Sequence, residues 1–387
     1  MTAPGPPSGL LTSRLRSGAP PSASLDASLL GGRAALLGDE GTAATLSAWR
    51  SELVGLGPLE ELAADGAVTD ILVNGDGSTW VDRGDGVEPA AVQVGDAAAV
   101  RRLAVRLAGL AGRRLDDSQP WVDGELAPGI RLHAVLPPIA PQGAQVSLRL
   151  GRRAGWTMEA LRRRGMFGEE LADLLQRLVA RRVAFLVTGG TGTGKSSLLA
   201  ALLASSDARD RIVVVEDVRE LRVDHPHVVS LQGRSANVEG VGAVTLVDLV
   251  RQALRMRPDR LVVGEARGAE VREFLASLNT GHEGGCGTLH ANRLRDVPAR
   301  VAALAALAGL DEAAAMVQFG SAVSVVVHLS RRRAGRLVEC LGVVGQEDAG
   351  PRRRVVVTAA ATVGADGGLA RGPAWNRLAA LLGPGAT

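Results

Sequence analysis

A chain of 387 residues is too long for one average domain, and at roughly 100–200 residues per domain it holds two or three. Its 46% hydrophobic content supplies real cores, while its two cysteines, Cys286 and Cys340, exclude a disulfide framework and a four-cysteine zinc knuckle and fit a reducing compartment. Forty-four basic against 41 acidic residues leave +3; with no tyrosine and one lysine little titrates up to pH 10, so the pI of about 9.6 overstates basicity and charge alone implies no nucleic-acid partner.

Residues 1–42 are rich in Pro, Gly, Ser and Ala and are expected to form a disordered tail. Met1 to Leu25 lacks the continuous apolar core of a secretory signal, and no apolar run is long enough to span a membrane, so a cytoplasmic protein is expected. From Ala43 to Ala64 the apolar spacing suits helices, first with Leu46, Trp49, Leu53 and Leu56, then with Leu59, Leu62 and Ala63. Thr69–Val73 and Ser78–Val81 flank the turn residues Asn74-Gly75-Asp76-Gly77 and read as a hairpin. A helix over Ala97–Leu110 and a strand-rich stretch from Trp121 to Leu150 complete an N-terminal α/β domain, 43–150. The Arg- and Gly-rich segment 151–158 is the expected linker.

Beyond it strand and helix alternate. Helical spacing over Met166–Ala180 leads to a buried strand, Val183–Val187. Helix Ser196–Ala204, strand Ile212–Val215, helix Leu246–Arg255, strand Leu261–Val263 and helix Glu270–Leu278 follow. This alternation means a parallel sheet with crossover helices over 159–344. Residues 345–387 carry no motif and are either strands that finish the sheet or an extension.

Forty-three of the 44 basic residues are arginine, so the one position that is lysine, Lys195, points to a need for a compact ammonium. It falls in Gly189-Gly190-Thr191-Gly192-Thr193-Gly194-Lys195-Ser196, a phosphate-binding loop pattern between an expected strand and helix. In such a loop backbone N–H groups cradle phosphates, the lysine reaches the β and γ oxygens, and the serine, here Ser196 followed by Ser197, ligates Mg²⁺. With 49 glycines and one lysine, roughly 0.002 chance matches are expected in such a chain. The guanine-reading Asn-Lys-x-Asp motif cannot exist where the only lysine is already used, so an adenine nucleotide, ATP, is expected.

Two strands end in carboxylates. RIVVVEDVREL (Arg211–Leu221) carries Glu216 and Asp217, suited to hold Mg²⁺ through water, and Glu220, which reads equally as a solvated turn residue; RPDRLVVGEARG (Arg257–Gly268) carries Glu265, suited to orient or deprotonate the attacking water. TGHEGGCGTLHAN (Thr280–Asn292) places His282 and His290 around a Gly-rich turn near the γ-phosphate or a neighbouring subunit. Read as a helix, His282, Cys286 and His290 have zinc-ligand spacing, but Gly284, Gly285 and Gly287 argue against that helix.

In order and spacing these four motifs resemble the Walker A, Asp box, Walker B and His box of the secretion ATPase superfamily, which serves type II and type IV secretion and type IV pilus machines. GPLEELAADGAVTDILVNG and RRLDDSQPWVDGELAPGIRLHAVLPP look like the N-terminal domain of the tight-adherence (CpaF-type) pilus ATPases, and the resemblance covers roughly Ala43 to Val344. It implies a RecA-like P-loop NTPase domain with a smaller N-terminal α/β domain, assembled as a homo-hexamer with ATP between the two domains. It also implies a catalytic set of Lys195, Glu216, Glu265, His282 and His290, joined by the arginines that match by motif position, Arg131 and Arg149. The implied motor works at the inner face of the cytoplasmic membrane against a platform protein, without direct nucleic-acid contact. Arg255 and Arg257 are candidate interface or sensor residues. The absent two-pair cysteine module weighs against the type II secretion and pilus-extension branch, and Gly285-Cys286-Gly287 stands where the His box more often carries a polar residue. A conjugal DNA-transfer motor shares the same motifs, and a nucleotide-gated scaffold without turnover is the alternative from another class.

Overall fold

The structure is a computed structural model that describes residues 55–383 except 85, 128, 152–154, 235–240, 282–283, 333–334, 350–351 and 365–366, together with 39, 42, 43 and 51. The expected tail, apart from residues 39 and 42, and the helix around Leu46 and Trp49 lie outside the described residues, as does His282. The chain divides into two compact units, Met1–Arg153 and Ala154–Thr387.

In the first unit the alternating segments pair into an antiparallel sheet. β1 (Asp70–Val73) and β2 (Ser78–Asp82) form the expected hairpin, with Ile71 opposite Val81, and the turn closes with Gly77 N–H donating to the Asn74 carbonyl at 2.9 Å. β3 (Val87–Gln93) is mostly exposed and contains Pro89, so it carries no alternation to read and sits at the sheet edge. β4 (Trp121–Ala127), β5 (Ile130–Val135) and β6 (Gln145–Leu150) complete the strand order β3-β2-β1-β6-β5-β4. A short helix α1 (Glu60–Ala64) precedes the sheet, and α2 (Ala97–Leu110) starts where Asp96 accepts the Ala99 N–H at 2.8 Å. Its buried stripe of Val100, Leu103, Ala104, Leu107 and Ala108 shares a core with Ile71, Val81, Leu132 and Leu148.

The second unit is built on a mixed sheet of order β15-β14-β13-β12-β7-β11-β10-β8-β9. β7 (Phe185–Gly189), β8 (Ile212–Glu216), β9 (Val228–Gln232), β10 (Arg260–Ala266), β11 (Cys286–His290) and β12 (Val325–Arg332) run parallel, while β13 (Gly335–Ala349), β14 (Arg352–Val363) and β15 (Leu369–Arg371) add on antiparallel. The central strands are apolar almost throughout because helices cover both faces. Ile212, Val214 and Val262 point to one core, shared with α4 (Glu169–Ala180), α5 (Lys195–Ala204) and α10 (Trp375–Leu382); a short α3 (Met158–Arg163) adds Met158 and Leu161. Val213, Val215 and Val263 point to the other, with α6 (Leu246–Ala253), α7 (Glu270–Leu278), α8 (Val297–Leu307) and α9 (Glu312–Ala322). Thr245 and Asp248 form a reciprocal capping box that starts α6.

Two expectations change. The domain end placed at 344 falls inside β13, which crosses Gly345 and pairs with β12 and β14, so the residues beyond it finish this sheet. Of the Gly-rich turn expected between His282 and His290, the part from Cys286 onward is instead the strand β11, hydrogen-bonded between β10 and β7. Close backbone approach explains glycine there: a β-carbon at Gly287 would lie 2.7 Å from the Val263 carbonyl oxygen.

Candidate active site

The phosphate-loop pattern lies between β7, which ends at Gly189, and α5, which begins at Lys195. Gly194 caps the helix at φ 95°, a left-handed conformation that glycine adopts at no steric cost, and no side chain caps this end. The first helical N–H groups therefore face the loop with the positive end of the helix dipole. The Thr193 hydroxyl donates to the Gly190 carbonyl at 2.9 Å and braces the loop. Thr191 and Gly192 are exposed at its tip, and Ser196 and Ser197 occupy the first helical turn. Lys195, only 7% exposed, donates to the carbonyls of Gly189 (3.1 Å) and Gly190 (2.9 Å). Burial pushes its pKa below the usual lysine value, the charges of Glu265 and Glu220 oppose that, and Arg267 adds to it.

Strand order brings the next residues to the same edge. β11 lies beside β7 with His290 opposite Gly189, and β10 lies beside β11 with Glu265 near its end. The Glu265 carboxylate pairs with the His290 Nε2 through one oxygen and with the Arg267 guanidinium through the other. Burial would raise the Glu265 pKa, but the Arg267 hydrogen bond and the charges of Arg267, His290 and Lys195 outweigh it and hold the carboxyl below its ordinary range. Burial and the Lys195 charge push His290 below 6.5, so at neutral pH its ring is uncharged. Both ring nitrogens of His290 lie 3.5 Å from the Lys195 ammonium, and Nε2 is also the atom that faces the Glu265 carboxylate.

The acidic pair at the end of β8 divides differently from the expectation. Glu216 is 6% exposed, and its carboxylate accepts the N–H groups of Glu220 (3.0 Å) and Leu221 (3.0 Å). It packs so close to β10 that a β-carbon at Gly264 would lie 2.4 Å from its Cγ. Glu216 thus folds the 217–221 turn, and Glu220 is the carboxylate brought to the loop, accepting from the Ser196 hydroxyl at 3.3 Å. Asp217 is exposed and acts through its charge on Arg267. Ser196 and Glu220 together fit a magnesium ion held by a hydroxyl, by water and by phosphate oxygens rather than by an all-protein cage.

Sequence reasoning left Glu220 out of the site and missed Arg267. Arg267 lies one residue past the end of β10, where no strand period marks it, and the turn that follows the strand brings its guanidinium back to Glu265. Glu270 holds that turn by accepting the N–H groups of Arg267 (2.6 Å) and Gly268 (2.8 Å).

In the first unit Arg131 and Arg149 are direct cross-strand partners on β5 and β6, flanked in the same row by Glu125 on β4 and Asp70 on β1. Their neighbours Leu132 and Leu148 point into the core, so this charged row lies on the other face of the sheet. Arg255 and Arg257 precede β10, at the strand end opposite Glu265, which removes them as sensors of this phosphate loop. Cys286 is fully buried on β11 and burial pushes its thiol up to about 12, so it belongs to the core and not to a zinc site. Among the described residues no cluster of three His, Cys, Asp or Glu side chains can hold a metal ion.

A strand–loop–helix phosphate cradle at the carboxyl edge of such a sheet, with a Glu and a His delivered from the two next strands, defines a RecA-like P-loop protein. The family model described as "Type II/IV secretion system protein" matches residues 52–365, and the chain belongs to that family, within the secretion ATPase superfamily. A putative conjugal transfer protein of Mycobacterium tuberculosis (strain H37Rv) is 54% identical over 307 residues, covering 78% of this chain and 87% of the relative. A probable conjugal transfer protein TrbB of Sinorhizobium fredii is 30% identical over 281 residues, covering 71% and 82%. The pilus retraction motor PilT with bound ADP (17% identity, TM-score 0.51, 77% of this chain and 82% of that one) shares the fold. So does the Legionella pneumophila ATPase DotB (17%, 0.50, 78% and 78%). Among the described residues no helix is long and apolar enough to cross a membrane.

Proposed function

We propose that this chain hydrolyses ATP with Mg²⁺ and uses the cycle as the motor of a secretion, pilus or conjugal transfer system. The observation that carries the reading is the convergence of Lys195, Ser196, Glu220, Glu265, Arg267 and His290 on one phosphate loop. The loop N–H groups and Lys195 bind the phosphates, and Mg²⁺ supplies charge neutralisation of the β and γ oxygens. Ser196, with Glu220 behind it, holds the ion, and Asp217 adds negative charge at that end. Glu265, kept ionised by Arg267, accepts a hydrogen bond from the attacking water and orients it; a carboxyl held below its usual range is a better acceptor than proton store. The neutral His290 passes orientation between Lys195 and Glu265. The paired arginines Arg131 and Arg149 are proposed to serve the same nucleotide, with His282 acting from the segment before β11.

The names of the two relatives favour transfer of DNA as the system served, while the charge of +3 argues against a direct DNA grip. Assembly as a hexamer, work beside a membrane platform protein and a cytoplasmic location complete the proposal. It is tested by steady-state ATP hydrolysis of the purified chain beside Glu265→Gln, with nucleotide binding followed for both. Retained binding with turnover reduced about 10²–10⁴-fold supports it. A wild type that binds ATP and hydrolyses none, alone or with host membranes, replaces the motor with a nucleotide-gated scaffold. DNA-stimulated turnover that weakens steeply with salt identifies the conjugal role.

A further inference from the structure

β7 has two neighbours, and only one of them, β11, brings the groups already described. On its other side β12 runs parallel to it, with Leu329 opposite Gly189. Two residues further on, Arg331 is the direct cross-strand partner of Arg336 on β13, so both guanidinium groups stand on one face of this hairpin. That face meets the phosphate loop. A β-carbon at Gly192 would lie 4.0 Å from Arg331 Nη1, and one at Gly194 would lie 3.6 Å from Arg336 Cδ and 2.9 Å from Met166 Cε. Met166 is tied to the same hairpin, its carbonyl accepting the Val338 N–H at 2.9 Å.

The β11 side and the loop account for the phosphates of a nucleotide, through backbone N–H groups, Lys195, Glu220 and Glu265. A nucleotide has a second half, a flat ring with apolar faces and a sugar. Two guanidinium planes match that half. Arg is planar, weakly hydrated and stacks on π-systems, whereas a lysine ammonium does not. We propose that Arg331 and Arg336, backed by the buried Met166, form the nucleoside-binding wall of the site, taking the purine base and ribose of ATP. This rests on the nucleotide reading made above and assigns the part of the ligand that the phosphate loop leaves unread.

The test is titration of wild type, Arg331→Ala, Arg336→Ala and the double Arg331→Lys/Arg336→Lys variant with ATP and with inorganic tripolyphosphate at one ionic strength. Each variant is expected to bind ATP about ten-fold more weakly while tripolyphosphate binding stays within about two-fold, because the stacking surface is lost and the phosphate cradle is not. Equal loss for both ligands, or rescue of ATP binding by the double lysine variant, overturns the proposal, since either result makes the arginines plain positive charges. Unchanged ATP affinity overturns it too. Arg331 is exposed, so its alanine variant keeps the fold and carries the test if Arg336→Ala does not. Wild type that binds tripolyphosphate but gains nothing from the nucleoside overturns the wall alone. Wild type that binds neither ligand overturns the nucleotide reading itself.

Discussion

Asp210 is 1% exposed and shares its carboxylate between Arg182 and Arg260, the latter itself 2% exposed with Nε donating at 2.7 Å. Arg260 also donates to the carbonyls of Val179 (2.8 Å) and Gly284 (3.4 Å). One guanidinium therefore ties the starts of β8 and β10 to the end of α4 and to the segment that leads into β11 and His290. Asp210→Asn removes the counter-charge and leaves Arg260 buried and uncompensated, at a cost of about 3–5 kcal/mol. At roughly 2–4 °C per kcal/mol for a unit of this size, the melting temperature falls by about 6–20 °C. Thermal and urea unfolding of the purified chain measure both quantities. Adding Arg260→Met recovers a large part of the loss, because the stranded charge is gone, and the double-mutant cycle isolates the coupling. A loss below about 1 kcal/mol, or a double variant no more stable than the single, refutes the account of this cluster.

The Glu265 carboxyl titrates below its ordinary value of 4.5, so the acid limb of kcat/KM belonging to it lies below that value. Arg267→Gln removes the hydrogen bond and charge that lower it and moves the limb upward, which a pH–rate profile reads; an unmoved limb contradicts the pairing. The same shift contributes stability that is present above pH 4.5 and is lost as the pH falls through the lower folded-state value. Gly264→Ala sets a methyl group 2.4 Å from the Glu216 Cγ, and the strain costs about 1–3 kcal/mol in urea unfolding. If that strain also displaces Glu220, nucleotide-dependent magnesium affinity falls with it, and titration of Mg²⁺ in the presence of ATP shows the change. Burial pushes the thiols of Cys286 and Cys340 up to about 12, so neither reacts with a thiol reagent at pH 8 in the folded chain and both do after denaturation.

The parts legible in the sequence are those whose cause is local. The helix over Ala97–Leu110 has its cap in Asp96 and its apolar stripe at helical spacing, and α7 likewise runs over the residues its pattern marks, Glu270–Leu278. The strand–loop–helix around Lys195 is readable because a phosphate cradle uses consecutive backbone N–H groups and glycines whose conformations depend on their neighbours in the chain. Apolar runs such as Ile212–Val215 announce strands buried on both faces. Pairing is not local, and there the sequence was silent or ambiguous. β13 and β14 are held by a long antiparallel ladder, so the role of residues after Gly345 appears only when their partners are in place. Cys286–His290, short and preceded by Gly284 and Gly285, became a strand because β10 and β7 supply hydrogen bonds on both sides. Glu216 and Glu220 are alike as letters, and tertiary structure distinguishes them: the buried N–H of Leu221 needs an acceptor, Glu216 provides it, and the turn this creates carries Glu220 to Ser196.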